Sequence, residues 1–447
     1  MIRILVPLFV AMVFAGCSKK SPPNALVIYF SSDMRGNIEP CGCIDKQSGG
    51  LPRRATAIRG RGSSARLLIE VGNATRGARE WDKLKFKYIL MGLEKMDYAA
   101  LNVGQREAAL GRDDLVRMAA ATKVPFVSAN VVDAETRLPV VRPYIVRDVG
   151  GLRVGVTGIL ANDVERPGPG LAALDPEMAL LRLLPELKGR CDFLILAACT
   201  DFEGMGRLAE KLYEVDVILG GTVREPTRQP PKVNQSILAA VADKGRMLGR
   251  LEICFDKNGA AVKHTGEIIE LGEEYAEDPQ MASVIAQMKE EQKAKELSDA
   301  TTHEALEIIV AGKQAQGADR YVGAEECREC HKEAYEAWKT SDHARAFATL
   351  AAKKYEYDRD CLGCHVVGLG SPDGYRSQRL TLYLTNVQCE NCHGRGKRHV
   401  DCYRAKKNET SGETTLRPAT RAGCLRCHEK ERSRDFEYGA YWRMIEH

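Results

Sequence analysis

Four five-residue words carry the residue types most able to do chemistry: "CRECH" from Cys327, "CLGCH" from Cys361, "CENCH" from Cys389 and "CLRCH" from Cys424. Each sets two thiols three positions apart, with an imidazole directly after the second. With 15 Cys and 9 His in 447 residues, random placement would give about 0.01 such words. Zinc knuckles built from C-x-x-C pairs close a tetrahedron and need no histidine at that fixed place. Covalent attachment of c-type haem does need it. The spacing predicts four c-type haems, held through thioethers at Cys327 and Cys330, Cys361 and Cys364, Cys389 and Cys392, and Cys424 and Cys427. His331, His365, His393 and His428 are then the proximal iron ligands.

The other axial ligand decides much of what such an iron does, because axial identity and burial tune its potential over about 0.8 V. Five histidines remain, His264, His303, His343, His399 and His447, and three of them share the last third of the chain with the words. At most three bis-histidine sites can be completed there. His399 follows His393 by six residues, too few to reach round one porphyrin to its opposite face, so it is expected at a neighbouring haem. The remaining iron is open, or takes His303, Met444 or water. From residue 318 onward each haem has so little polypeptide around it that an ordinary apolar core is not expected; the porphyrins themselves must supply buried surface.

The elements that would position this chemistry begin with an export signal. Arg3, an apolar run from Ile4 to Ala15 and small residues before Cys17 form a segment too short to span a membrane as a mature helix. Its "FAGC" resembles a bacterial lipobox, which implies lipidation of Cys17. Residues 18–24 read as a tether. Short β-rich apolar runs follow at 25–30, 65–71, 98–103, 124–132, 192–198 and 215–221, alternating with helical segments at 81–96 and 175–189. Continuous apolar strands between helices predict α/β architecture with sheets buried on both faces. Gly150-Gly151 predicts a hairpin, so the sheets are mixed. At residues 273–317 a helical linker is expected, with Asp278 as cap and Met281, Val284, Ile285 and Met288 on one face. A formal net charge of +4 without long charged runs gives no reason to invoke nucleic acid.

Four stretches in the last third, "YVGAEECRECHKEAYEAWKTSDHARAF", "CLGCHVVG", "VQCENCHGRGKRHV" and "DFEYGAYWRMIEH", resemble the cytochrome c-554 family over residues 320–447, a family of mainly α tetrahaem proteins known chiefly as electron carriers. The resemblance implies that His343, His399 and His447 are distal ligands and that the haem at Cys361, Cys364 and His365 lacks one. Some relatives with an open haem handle small nitrogen species. "GRGKRH" departs from the family pattern, where a proline commonly interrupts the glycines. Arg395, Lys397, Arg398, Arg404, Lys406 and Lys407 are candidates to neutralise haem propionates.

Residues 25–272 carry landmarks in the order of another family: "DMRGNIEP", "GGLPRRATAIR", "EVGNATRG", "NVGQREAALG", "LAACTDFEG" and "VDVILGGTVREP". They resemble the calcineurin-like metallophosphoesterase fold of 5'-nucleotidases, a four-layer α-β-β-α sandwich. Active members bind two divalent metals at these places. Here Asp33 survives, whereas Arg35, Asn73, Gln105, Arg106, Thr222 and Arg224 stand where the resemblance implies ligands, and Cys199 stands near a strand-end histidine. Arginine is a permanent cation and cannot ligate a metal, so no phosphohydrolase activity is expected. "EPCGCID" adds Cys41 and Cys43, a word shared with some UshA-like relatives. With Cys199 and Asp33 they form a possible thiol site, redox-active or metal-binding, against a disulfide or inert buried thiols.

The expectation is thus an exported multihaem cytochrome, periplasmic or at the cell surface, meeting the membrane through its lipid anchor only; Ser18 after the lipidated cysteine points to the outer membrane. It would pass single electrons to redox partner proteins, with the N-terminal domain as scaffold or binding module. The alternative is an oxidoreductase acting on a small molecule at an open iron or at the Cys41 and Cys43 thiols.

Overall fold

The computed structural model describes residues 23–40, 47–62, 65–161, 166–241, 244–314, 319–405, 416–429, 433 and 435–446. Cys17, Cys41, Cys43 and His447 lie outside the described residues.

Fourteen strands organise the first part of the chain. The first eight are β1 (Ala25–Ser31), β2 (Arg66–Glu70), β3 (Ala100–Asn102), β4 (Phe126–Val127), β5 (Val131–Asp133), β6 (Tyr144–Val149), β7 (Leu152–Leu160) and β8 (Leu171–Ala173). Then come β9 (Phe193–Cys199), β10 (Val217–Gly220), β11 (Lys232–Val233), β12 (Ser236–Ala240), β13 (Met247–Phe255) and β14 (Ala261–Glu270). They form two six-stranded sheets, ordered β14-β13-β1-β2-β3-β4 and β11-β12-β10-β9-β7-β6, and a small β5-β8 pair. Within each large sheet the inner pairings are parallel, and antiparallel neighbours complete it: β13 beside β1 in one, β6 beside β7 in the other.

Three cores separate four layers. Between the sheets pack Leu26, Ile28, Phe30, Val154, Ile195 and Val217, among others. On the outer face of the first sheet, helices Leu51–Arg59 and Glu80–Lys95 bury Leu51, Phe86, Ile89 and Leu93. On the outer face of the second, helices Pro176–Arg190 and Phe202–Lys211 bury Leu180, Leu187 and Met205. The central strands are apolar throughout because both faces are covered; β9, "FLILAAC", is buried along its whole length. The layered mixed α/β sandwich agrees with the sequence reading, and the predicted hairpin is the β6–β7 connection, with Gly150 and Gly151 both at left-handed φ.

Two features extend the sequence reading. Strands β11 to β14 escaped the apolar-run criterion because β13, "MLGRLEICF", alternates and β14 is largely exposed at a sheet edge. The helix Pro279–Gln314 is also more than a connector. Its first turns place Met281, Val284, Ile285 and Met288 in the core against the first two helices; burying each of these side chains contributes roughly 1.5–3 kcal/mol.

From Ala324 on, the described chain is a series of short helices, with one bridge, Val366 to Thr385, in place of a sheet. Its apolar cluster among the described residues is small: Phe347, Leu350, Leu362, Val366, Val367, Tyr375 and Leu384. Tyr383, Tyr403, Leu425 and Met444 are exposed. So little apolar packing cannot by itself order this much chain.

Candidate functional site

Each of the four words forms a single helical turn. The second lies in the helix Arg359–His365 and the third in Cys389–His393. In the first, the His331 amide donates to the Cys327 carbonyl at 2.9 Å, and in the fourth His428 donates to Cys424 at 2.9 Å. Positions i, i+3 and i+4 share one helix face, so both thiols and the imidazole of a word point the same way. The words also meet. The Cys327 and Cys389 thiols, from the first and third words, are hydrogen-bonded, as are those of Cys364 and Cys427, from the second and fourth.

The histidine rings form two close pairs, each joining the histidine of a word to one outside the words. His331 and His399 have ring centroids 6.1 Å apart and planes 22° from parallel. His343 and His428 stand 6.1 Å apart at 50°. A metal–imidazole bond is about 2.0–2.1 Å and a ring centroid lies roughly 1.1 Å behind its coordinating nitrogen. Two imidazoles trans across one metal therefore have centroids about 6.2 Å apart. Both centroid separations match that distance. Three of the word histidines have Nδ1 hydrogen-bonded: His365 to the Ala346 carbonyl at 2.5 Å, His393 to the Arg417 carbonyl at 2.9 Å, and His428 to the Ser433 hydroxyl at 3.1 Å. A hydrogen bond at Nδ1 fixes the tautomer and leaves Nε2 to coordinate. Burial, followed by the His428 charge, pushes the His343 imidazolium pKa down, so the ring is neutral and ligand-competent. The donor set fits c-type haem.

Three of the cations expected at haem propionates make ion pairs with carboxylates of the chain. Arg395 makes a two-pronged pair with Asp373 at 2.6 and 2.9 Å, Arg404 holds Glu326 and Glu329 at 2.8 and 2.7 Å, and Lys397 pairs with Asp401. Lys406 and Lys407 lie outside the described residues. Glu390, inside the third word, accepts amides of Val322, Gly323 and Gly396 at 3.1, 2.8 and 2.8 Å, tying the entry of this region to its centre.

In the N-terminal domain the strand ends bring together Asp33, Arg35, Asn73, Gln105, Arg106 and Cys199. Asp33, Arg35 and Asn73 are three of the nine described non-glycine residues at left-handed φ, a conformation that costs energy outside glycine and concentrates at functional pockets. Arg35 closes on Asp33 through two contacts, 2.9 and 2.8 Å, occupying both carboxylate oxygens. Asn73 accepts the Arg106 amide at 3.0 Å, and buried Glu107 accepts the amides of Asn73, Thr75 and Gly104. Thr222 and Arg224 are exposed just beyond β10. Among the described residues, no three His, Cys, Asp or Glu side chains converge to hold a bare metal ion.

Cys199 is 1% exposed, and burial pushes its thiol up to about 12 despite hydrogen bonds from the Gln105 amide and the Asn73 side chain. Burial, with the Glu107 and Asp33 carboxylates nearby, keeps it a protonated thiol rather than a nucleophile. In native protein at pH 8, iodoacetamide is expected to leave Cys199 unmodified and to label it after unfolding; peptide mass mapping reads the difference, and labelling of the folded chain would refute the assignment.

The two parts of the chain touch through charges that sequence reasoning missed. Lys85 reaches Asp358 and Asp360 at 2.8 and 2.7 Å, and Arg76 reaches Asp360 at 2.7 Å. Glu39 pairs with Lys289 at 2.8 Å and accepts the Tyr355 hydroxyl at 2.9 Å. No local signal marks such pairs; Lys85 and Asp358 are 273 residues apart. A cavity of about 450 Å³ opens beside them, lined by Trp81, Lys85, Asp358, Arg359, Tyr375 and Arg376 among others.

The family described as cytochrome c554 and c-prime matches residues 326–394. Cytochrome c-554 of Nitrosomonas europaea is 33% identical over 130 residues, 25% of this chain and 55% of that protein. Snake venom 5'-nucleotidase of Naja atra is 26% identical over 277 residues, 54% of this chain and 51% of that protein. This chain thus spans about half the length of either relative. Among solved structures, a 5'-nucleotidase precursor from Thermus thermophilus aligns with TM-score 0.54 at 24% identity, covering 60% of this chain and 59% of that one. A calcineurin-like phosphoesterase from Bacillus subtilis aligns with TM-score 0.52 at 19% identity, covering 60% of this chain and 98% of that one. The N-terminal domain shares its fold with solved 5'-nucleotidase and calcineurin-like phosphoesterase structures, and the C-terminal segment matches the cytochrome c554 and c-prime family over residues 326–394.

Proposed function

We propose that this protein is an exported, lipid-anchored electron carrier with four c-type haems, and that its phosphoesterase-like domain is a catalytically silent scaffold. The observation that carries the reading is the presence of two close imidazole pairs, His331 with His399 and His343 with His428, each at 6.1 Å. A bound c-type haem supplies one exchangeable electron at its iron. The chain's part is to hold two imidazoles at a fixed separation, so that oxidation and reduction need little ligand rearrangement. Contact between the thiols of the first and third words, and of the second and fourth, supports close cofactor packing, which short electron steps require.

The proposed anchor is a lipidated Cys17 and the proposed location the periplasmic or outer surface, consistent with attachment chemistry that needs exported thiols. Redox partner proteins are the proposed donors and acceptors. For the silent domain, support comes from Arg35 occupying both oxygens of Asp33.

The test is a haem count by pyridine haemochrome and intact mass on natively matured protein, with electron-spin resonance of a His399→Ala variant. Four haems are expected, with a new high-spin signal from one iron in the variant. Unmodified thiols in the words, or a variant spectrum identical to wild type, would refute the reading.

A further inference from the structure

We propose that Lys85, on the phosphoesterase-like domain, positions the second word and sets the reduction potential of the haem it carries. The inference rests on the reading above that Cys361 and Cys364 hold a haem.

The helix bearing this word, Arg359–His365, is capped by Asp358, whose side chain accepts the Asp360 amide. Both carboxylates turn toward the other domain. Lys85, in the helix Glu80–Lys95, lies between them at 2.8 and 2.7 Å, and Arg76 takes the second oxygen of Asp360 at 2.7 Å. Arg79 is held on Asp82 at 2.8 Å, and the Arg359 guanidinium sits 5.6 Å from the Trp81 ring centre. Burial alone opposes a charge at Lys85, yet Asp358 and Asp360 raise its ammonium above the ordinary range, so it stays a cation. Cys361, the next residue after Asp360, lies within the field of that ammonium.

A second contact fixes the same segment further upstream. The Tyr355 hydroxyl donates to Glu39 at 2.9 Å, and Lys289, paired with Glu39, sits 3.8 Å from the Tyr355 ring centre. Residues 355 to 360 are thereby pinned to the N-terminal domain at both ends. Where water is excluded, charges act over longer range than at a surface.

The cluster is balanced, with Lys85 and Arg76 against Asp358 and Asp360. Without the Lys85 charge, the balance beside the second word shifts by one negative charge, which would favour the oxidised form of a haem held there and lower its potential. Neutralising Asp360 leaves a net positive charge and raises it. A helix merely loosened by either change would not move the potential in opposite directions.

The test is spectroelectrochemical titration of the full, natively matured protein as Lys85→Met, Lys85→Arg and Asp360→Asn, with Lys87→Met as control because Lys87 pairs with Glu291 away from the word. Peptide mass mapping follows haem on Cys361 and Cys364 in each. One transition is expected to shift downward in Lys85→Met, to return in Lys85→Arg, to shift upward in Asp360→Asn, and to stay in place in Lys87→Met. Should Lys85→Met fail to mature, the upward shift in Asp360→Asn carries the test. No haem on Cys361 and Cys364 in wild type overturns the earlier reading. Haem present with potentials unmoved, or moved the same way in Lys85→Met and Asp360→Asn, overturns this one.

Discussion

Serine at both Cys389 and Cys392 is expected to remove one haem and, with it, the native fold of the C-terminal segment. The third word sits at its crossroads. Cys389 contacts Cys327 of the first word, Cys392 lies near Cys424 of the fourth, and Asn391 donates to the Val366 carbonyl at 3.0 Å just past the second. The seven residues of the local apolar cluster offer little reserve. A porphyrin that buries roughly 400 Å² of apolar surface contributes on the order of 10 kcal/mol, comparable to the whole stability of an ordinary domain. Intact mass should fall by one haem, and limited proteolysis should cut within residues 319–446 while sparing the N-terminal sandwich. A three-haem protein as protease-resistant as wild type would show that polypeptide packing, not cofactor burial, holds this region together.

With manganese added, the purified protein is expected to release no phosphate from a nucleoside monophosphate or an aryl phosphodiester above the blank. Two-metal hydrolysis needs converging carboxylates and imidazoles to hold both ions and to generate the attacking hydroxide. In this pocket one carboxylate, Asp33, is already neutralised by Arg35 at 2.9 and 2.8 Å, and a guanidinium repels an incoming divalent cation. The Asn73 oxygen is occupied by the Arg106 amide, and Cys199 is held protonated by burial. Restoring one ligand does not rebuild a dinuclear site, so Arg35→His should remain inactive as well. Measurable turnover by either protein, removed by a chelator, would falsify the assignment of this domain as a silent scaffold.

The backbone around that pocket is held by its own polar contacts. Left-handed φ at Asp33, Arg35 and Asn73 belongs to the loops at the strand ends, and those loops are now held by Glu107 and its three amide partners.

What could be read along the chain was whatever local chemistry encodes. A haem word is five consecutive residues, and its helical turn follows from hydrogen bonds four residues apart; an apolar run such as "FLILAAC" declares a strand covered on both faces. Those signals gave the α/β class with sheets covered on both faces and the spacing of the four words, whereas the layered sandwich was what the resemblance implied. Edge strands such as β14 carried no such signal because exposure removes the pattern. The pairing of His331 with His399, the choice of His343 for His428, and the docking of Lys85 on Asp358 and Asp360 were decided by tertiary structure alone. Each joins groups 68 to 273 residues apart, and the stability of such a contact depends on which surfaces exclude water around it, a property no stretch of sequence holds until the chain has folded.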